Sequence, residues 1–147
     1  MLVQIFTETE RLENGKYRLR FHHLTELDDC GTTRIDWKAS DNLEAQTLAV
    51  GFAIRDIVEG DQKLGMFATG RTAIVYCPNL VLVEYIKFRP LRGDHLYLSK
   101  YINRINALRT RNGVLVSLGR IEEVVPSTKE FWANIYGVKK YATKQEQ

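Results

Sequence analysis

Ser40–Gly60, SDNLEAQTLAVGFAIRDIVEG, decides the fold. Its apolar residues fall on two adjacent stripes at helical spacing. Leu43, Val50, Ile54 and Ile57 form one, and Leu48, Gly51, Phe52 and Val58 form the other. Two neighbouring stripes make a wide apolar face, so this helix is expected to be largely buried, with the rest of the chain packed around it. Asp41 can cap the first turn, and Glu44 stands three residues on, where a capping partner would sit. Ala45, Ala49, Gly51 and Ala53 are small and let another element approach closely. Polar residues concentrate at Asn42, Gln46, Asp56 and Glu59. Glu44 stands apart from them as an acid near the buried side of the first turn.

Ahead of the helix the chain reads as three strands. Leu2 to Glu8 is a short run with β-branched and aromatic content. Asn14-Gly15 is a turn signal. Tyr17 to Leu24 alternates, with Tyr17, Leu19 and Phe21 against Arg18, Arg20 and His22. After a turn at Asp28 to Gly31, Thr32 to Ala39 alternates again, with Ile35 and Trp37 against Arg34, Asp36 and Lys38. This is an antiparallel meander with one buried face.

Beyond Gly60, the segment DQKLGMFATG is expected to be a loop or a short extra strand. Arg71 to Tyr76 does not alternate and reads as a strand buried on both faces. Pro78 suits the first position of a second helix running from Asn79 to Phe88, although Val81 and Val83 would also suit a strand. Asp94 can cap a third helix over His95 to Leu108, followed by a basic turn to Gly113 and a strand over Val114 to Leu118. Ser127 can cap a last helix ending near Ala142, with a frayed tail over 142–147. The order β-β-β-α-β-α-α-β-α predicts an α/β (α+β) domain over 1–147. Its expected core is a mixed five-stranded sheet in which the meander is followed by βα units, with helices on both faces.

A length of 147 residues suits one domain that buries roughly 70% of its unfolded surface. No apolar run is long enough to span a bilayer, and the opening segment does not read as a signal peptide. Two cysteines, Cys30 and Cys77, give neither a disulfide framework nor zinc spacing. An intracellular, cytoplasmic setting is therefore expected, with no membrane partner. A net charge of +3 leans toward anionic partners and equally suits an ordinary, slightly basic protein.

Several segments taken together resemble the ribonuclease H family. The family's first strand ends I-F-T-D-G-S, and here Ile5-Phe6-Thr7-Glu8-Thr9 stands in its place. Its first helix carries an acid seven residues before a small residue, as Glu44 precedes Gly51 with Asn42 ahead of it. Its fourth strand reads V-x-I-F-T-D-S-Q-L-V-V, which the stretch from Ala73 to Val83 follows in outline. Its W-V-K-G-H is similar to Val116-Ser117-Leu118-Gly119-Arg120, and ungapped counting from there puts Glu130 at the family's last acid.

The resemblance implies a ribonuclease H-like sheet. It also implies four positions, Glu8, Glu44, Cys77 and Glu130, that in the family hold two Mg²⁺ ions for phosphodiester hydrolysis. Glu8, Glu44 and Glu130 are the candidate catalytic and metal residues, with Mg²⁺ or Mn²⁺ as cofactor if the site is catalytic. Cys77 stands at the central Asp, and a thiol is a poor ligand for a hard cation. Arg120 stands where the family often has His. The resemblance thus implies a degraded centre. By itself, Glu44 can equally be a capping residue, Glu8 a surface acid at a strand end, Glu130 a first-turn acid that suits the helix dipole, and Cys77 a small buried residue.

The family also sets basic residues against duplex phosphates. Here Lys87, Arg89, Arg92, Lys100, Arg104, Arg109 and Arg111, with Arg120, are the candidate nucleic-acid contacts, interleaved with Tyr85, Tyr97 and Tyr101. A solvated helix face explains the same residues. Three readings follow. One is a nucleic-acid-binding protein, for an RNA/DNA hybrid or duplex, that has a lost or altered nuclease centre and needs no cofactor to bind. The others are an active divergent endonuclease cutting the RNA of hybrids, and a non-catalytic module for a protein partner.

Overall fold

The structure, a computed structural model, describes residues 2–25, 31–64 and 71–121. Glu130, the expected last helix and the tail lie outside the described residues. The elements run β1 (Leu2–Arg11), β2 (Lys16–Thr25), β3 (Gly31–Lys38), α1 (Asn42–Leu64), β4 (Thr72–Cys77) and α2 (Leu80–Ile86). A 3-10 helix (Gly93–Leu98), α3 (Ser99–Asn112) and β5 (Val114–Leu118) follow. They build a five-stranded sheet in the order β3-β2-β1-β4-β5. The first three strands pair antiparallel, and β4 pairs parallel with β1 on one side and β5 on the other.

Register follows the alternation in the sequence. Thr7 opposes Phe21 and Thr9 opposes Leu19, while Leu19 opposes Ile35 and Tyr17 opposes Trp37. One face of the meander carries Tyr17, Leu19 and Phe21, buried on β2, with Thr7 and Thr9 beside them. Ile35 and Trp37 of β3 share this face but stay exposed at the sheet edge, against the expected burial. The other face carries Arg18, Arg20 and His22. Gly15 adopts φ +82 in the turn, a conformation open to glycine at no steric cost.

The apolar face is covered by α1, whose Ala45, Ala49, Val50, Ala53 and Ile54 are fully buried. Burying a side chain such as Ile54 or Leu19 contributes roughly 1.5–3 kcal/mol. The helix runs to Leu64, past its expected end at Gly60. A helical glycine costs only about 1 kcal/mol, too little to stop a well-packed helix.

The second helix starts later than expected. Asn79 is its N-cap, accepting from the Val81 and Leu82 N–H groups, and Pro78 lies outside it. The third expected helix begins as the 3-10 turn, becomes α-helical at Ser99, and runs through the expected basic turn to Asn112. Gly113, at φ +63, terminates it. Helices α1, α2 and α3 all pack into the core cluster built on Ile5, Leu19, Val75 and Val116. The described helices cover one face, where helices on both had been expected; the expected last helix lies outside the described residues. No described helix is long and apolar enough to cross a membrane.

Candidate functional site

The strand β1 is longer than its parallel neighbour. It pairs with β4 only from Leu2 to Phe6, so its last residues run past the carboxyl end of β4 with that edge open. A crevice beyond the carboxyl ends of strands, where the sheet changes direction, is where α/β folds place ligands. Here it is a polar cleft of about 330 Å³ lined by Thr7, Glu8 and Thr9 from β1, Asn42 and Gln46 from α1, Pro78 after β4, and Arg120 and Ile121 after β5.

Glu8 is fixed by a neighbour on β2. Its Oε1 lies 3.1 Å from His22 Nε2, and His22 Nδ1 lies 2.9 Å from Thr32 Oγ1. The hydrogen bond with His22 holds the Glu8 carboxyl below the usual range, against the opposing effect of burial; the charges of His22 and Arg20 add to the lowering. On the α1 side, Thr9 Oγ1 donates to Asn42 Oδ1 at 2.6 Å, while Thr7 Oγ1 donates to the Tyr76 carbonyl at 2.9 Å.

Gln46 is oriented by a chain of hydrogen bonds. Asn79 must turn its Oδ1 to the backbone N–H groups of α2, which it caps. Its Nδ2 then donates to Gln46 Oε1 at 2.8 Å. With the oxygen occupied, Gln46 has its Nε2 donors left over.

Arg120 owes its place to Gly119. The Gly119 N–H donates to the Cys77 carbonyl at 3.1 Å, which holds the exit of β5 against the end of β4. A Cβ at this position would lie 2.6 Å from Tyr76 Cδ1, so only glycine fits without displacement. Tyr76 is itself stacked on Phe6, with ring centroids 4.3 Å apart.

Of the four positions the resemblance assigned to a metal site, Glu8 lines the cleft and Glu130 lies outside the described residues. Glu44 does not line it. Its Oε1 accepts the Ser40 N–H at 2.9 Å and its own N–H donates to Asp41 Oδ1 at 2.8 Å, so it closes the α1 cap. Cys77 is fully buried in the core, where burial pushes its thiol up to about 11. No group of three or more His, Cys, Asp and Glu residues able to hold a metal ion occurs among the described residues. The polar residues that the sequence did not mark as site residues are Thr7, Thr9, Asn42, Gln46 and the partner His22. Asn42 and Gln46 stand four apart at a helix start, a spacing that puts both on one face and could have marked them.

The basic residues divide into three sets. Arg89 pairs with Glu84, and Arg92 with Asp94. Arg109 is half-buried: its Nε donates to Asn106 Oδ1 at 2.7 Å, its Nη2 donates to the Ile86 carbonyl at 3.0 Å, and its guanidinium lies over the Phe88 ring. Lys87, Arg104 and Arg111 are exposed, and Lys100 lies over the Tyr101 ring. Positions 100, 104 and 111 fall within about 40° of one another around a helix of 3.6 residues per turn, so they form one stripe on α3.

No protein-family model matches the sequence, and no curated protein matches it either. Solved structures do. LC11-RNase H1, isolated from compost by a metagenomic approach, is 13% identical with a TM-score of 0.64, over 86% of this chain and 90% of that one. The same enzyme in complex with an RNA/DNA hybrid gives 13% and 0.65, over 82% and 87%. The N-terminal RNase H domain of a Mycobacterium tuberculosis protein is 18% identical with a TM-score of 0.57, over 81% and 87%. At these identities the likeness carries the architecture alone, and it agrees with the strand order and the mixed pairing: the protein has a ribonuclease H-like fold.

Proposed function

We propose that the protein is a nucleic-acid-binding ribonuclease H-like domain whose metal-dependent nuclease centre is lost or altered. The observation that carries this reading is the hydrogen-bonding character of the cleft. A pair of Mg²⁺ ions requires several hard oxygen ligands from the protein. Among the described residues, the cleft has one carboxylate, Glu8, already engaged by His22. On the α1 side it has Gln46, whose oxygen is taken by Asn79, and across from β5 the cation of Arg120. This donor set does not fit a metal pair, so no hydrolytic step is derived through one.

The binding half of the reading rests on the exposed basic stripe of α3 and on the fold, which in LC11-RNase H1 has been crystallised with an RNA/DNA hybrid. The test is binding of a labelled RNA/DNA hybrid, double-stranded DNA and single-stranded RNA at low and moderate salt, with Mg²⁺ or Mn²⁺ present and strand length read on a gel. Salt-sensitive binding with both strands intact is expected. Metal-dependent shortening of the RNA strand would establish an active endonuclease instead. Neither binding nor cleavage would leave a module for a protein partner.

A further inference from the structure

We infer that the cleft at the end of β1 grips a backbone phosphodiester directly, through the N–H donors of Asn42, Gln46 and Arg120, with no bridging divalent cation. This rests on the nucleic-acid-binding reading above and specifies how one part of the surface serves it.

The argument is one of donors and acceptors. Asn79 is committed as the cap of α2, so its amide nitrogen fixes the Gln46 oxygen, and Gln46 is left with N–H groups to present. Thr9 likewise takes the Asn42 oxygen, which leaves the Asn42 amide nitrogen as donor. Arg120 contributes a guanidinium with five N–H groups and no acceptor, and it has no acidic partner among the described residues. The cleft thus brings two amide donors and a guanidinium to one polar hollow, an arrangement that complements a phosphate oxygen and repels a cation. Glu8 is the opposing charge. Its hydrogen bond with His22 satisfies one oxygen, so its residual effect is to weaken anion binding at this place. That sets the sign of one test: a carboxylate that ligates metal strengthens binding, whereas one that merely neighbours a phosphate weakens it.

The experiment is fluorescence anisotropy of a labelled RNA/DNA hybrid at fixed ionic strength, in EDTA and in millimolar Mg²⁺. It compares the unaltered protein with Arg120→Ala, Arg120→Lys, Gln46→Glu, Glu8→Gln and the surface control Arg104→Glu. Gln46→Glu keeps the acceptor for Asn79 and exchanges the donor for a carboxylate oxygen. The unaltered protein is expected to bind equally in EDTA and Mg²⁺. Arg120→Ala and Gln46→Glu should each weaken binding about tenfold, the scale of one charge-assisted hydrogen bond. Arg120→Lys should recover part of the loss, and Glu8→Gln should tighten binding by roughly threefold, as expected of one screened repulsive charge. Unchanged affinity in Arg120→Ala and Gln46→Glu, alongside a loss in Arg104→Glu, would overturn the inference and leave nucleic-acid binding standing. Binding that requires Mg²⁺ and weakens in Glu8→Gln would overturn it in favour of a metal site. Absence of hybrid binding by the unaltered protein at low salt would overturn both readings together.

Discussion

Cys77 ends β4 with its side chain fully buried on the helix-covered face of the sheet. An aspartate placed there would enter the core and not the cleft. Cys77→Asp is therefore expected to lower stability by on the order of 3 kcal/mol or more, the scale for an uncompensated buried charge. Burial raises the folded-state pKa of such a carboxyl above its unfolded value, so stability falls as pH rises through the carboxylate range. Urea unfolding at acidic and neutral pH measures this; a fully stable Cys77→Asp that gained Mg²⁺-dependent cleavage would place the side chain in the cleft and refute the assignment. Glu8 carries the opposite sign. Its folded pKa lies below the ordinary 4.5, chiefly through the hydrogen bond with His22, so its contribution is present above that value and lost as pH falls through the folded one. Glu8→Gln should cost about 0.5–1 kcal/mol at neutral pH, discounted for partial exposure, with the difference closing in acid. Equal stability of the two proteins at neutral pH would show that the pair with His22 contributes nothing. At this scale the candidate site was legible only in part. Glu8 and Arg120 stood out because strand ends and the Gly-Arg pair could be matched to a motif. Gln46 was hidden because Glu44, two residues away, satisfied the same motif, and only the helix phase set by the Asp41 cap separates the residue facing the cleft from the one closing the cap.

The helix α1 was legible almost whole, because its apolar stripes leave one solution for burial. The meander was equally plain, since alternation fixes which face each residue takes. Where the sequence misled, competing local chemistry was responsible. Pro78 suits a first helical position, yet Asn79 can cap and does, which moves the start of α2 to Leu80. Asp94 resembles a cap, but it lies inside a 3-10 turn, and α3 begins without a side-chain cap at Ser99. Gly51 illustrates a different limit. Its small size suggests close helix packing, and it does face α3, but a Cβ there would lie 3.7 Å from Ile105 Cγ1, at ordinary contact distance. Close approach therefore does not require glycine at this position. Gly51→Ala is expected to raise stability by about 0.5–1 kcal/mol, from the lower backbone entropy of the unfolded chain and better helix propensity. A lower unfolding midpoint for Gly51→Ala would mean that α1 and α3 sit closer than these distances indicate.

Across the whole molecule, charge is distributed by what each cation is bonded to, and not by how many there are. Arg89 and Arg92 have acidic neighbours, and Arg109 is tied to the Ile86 carbonyl, so none of the three contributes a free charge of full strength to an approaching duplex. The stripe at Lys100, Arg104 and Arg111 has no acidic partner among the described residues. It runs eleven residues along α3, roughly 16 Å at the helical rise. The cleft adds Arg120 at the end of the sheet. If phosphate neutralisation supplies the binding energy, affinity falls linearly with salt on logarithmic axes, at about 0.9 per neutralised phosphate. Arg104→Glu combined with Arg111→Glu should then weaken hybrid binding at low salt by at least about tenfold and flatten the salt slope by roughly two. The paired arginines supply the contrast. Arg89→Ala and Arg92→Ala each remove a cation whose neighbouring acid already offsets it, so their slopes should stay close to that of the unaltered protein. Titrations from about 50 mM to 200 mM salt resolve the difference, since contacts of this kind dominate affinity over that interval. A slope unchanged by Arg104→Glu and Arg111→Glu would remove α3 from the interface. Equal losses from all four arginines would mean that net charge alone governs association, and that the unpaired stripe has no special place in it.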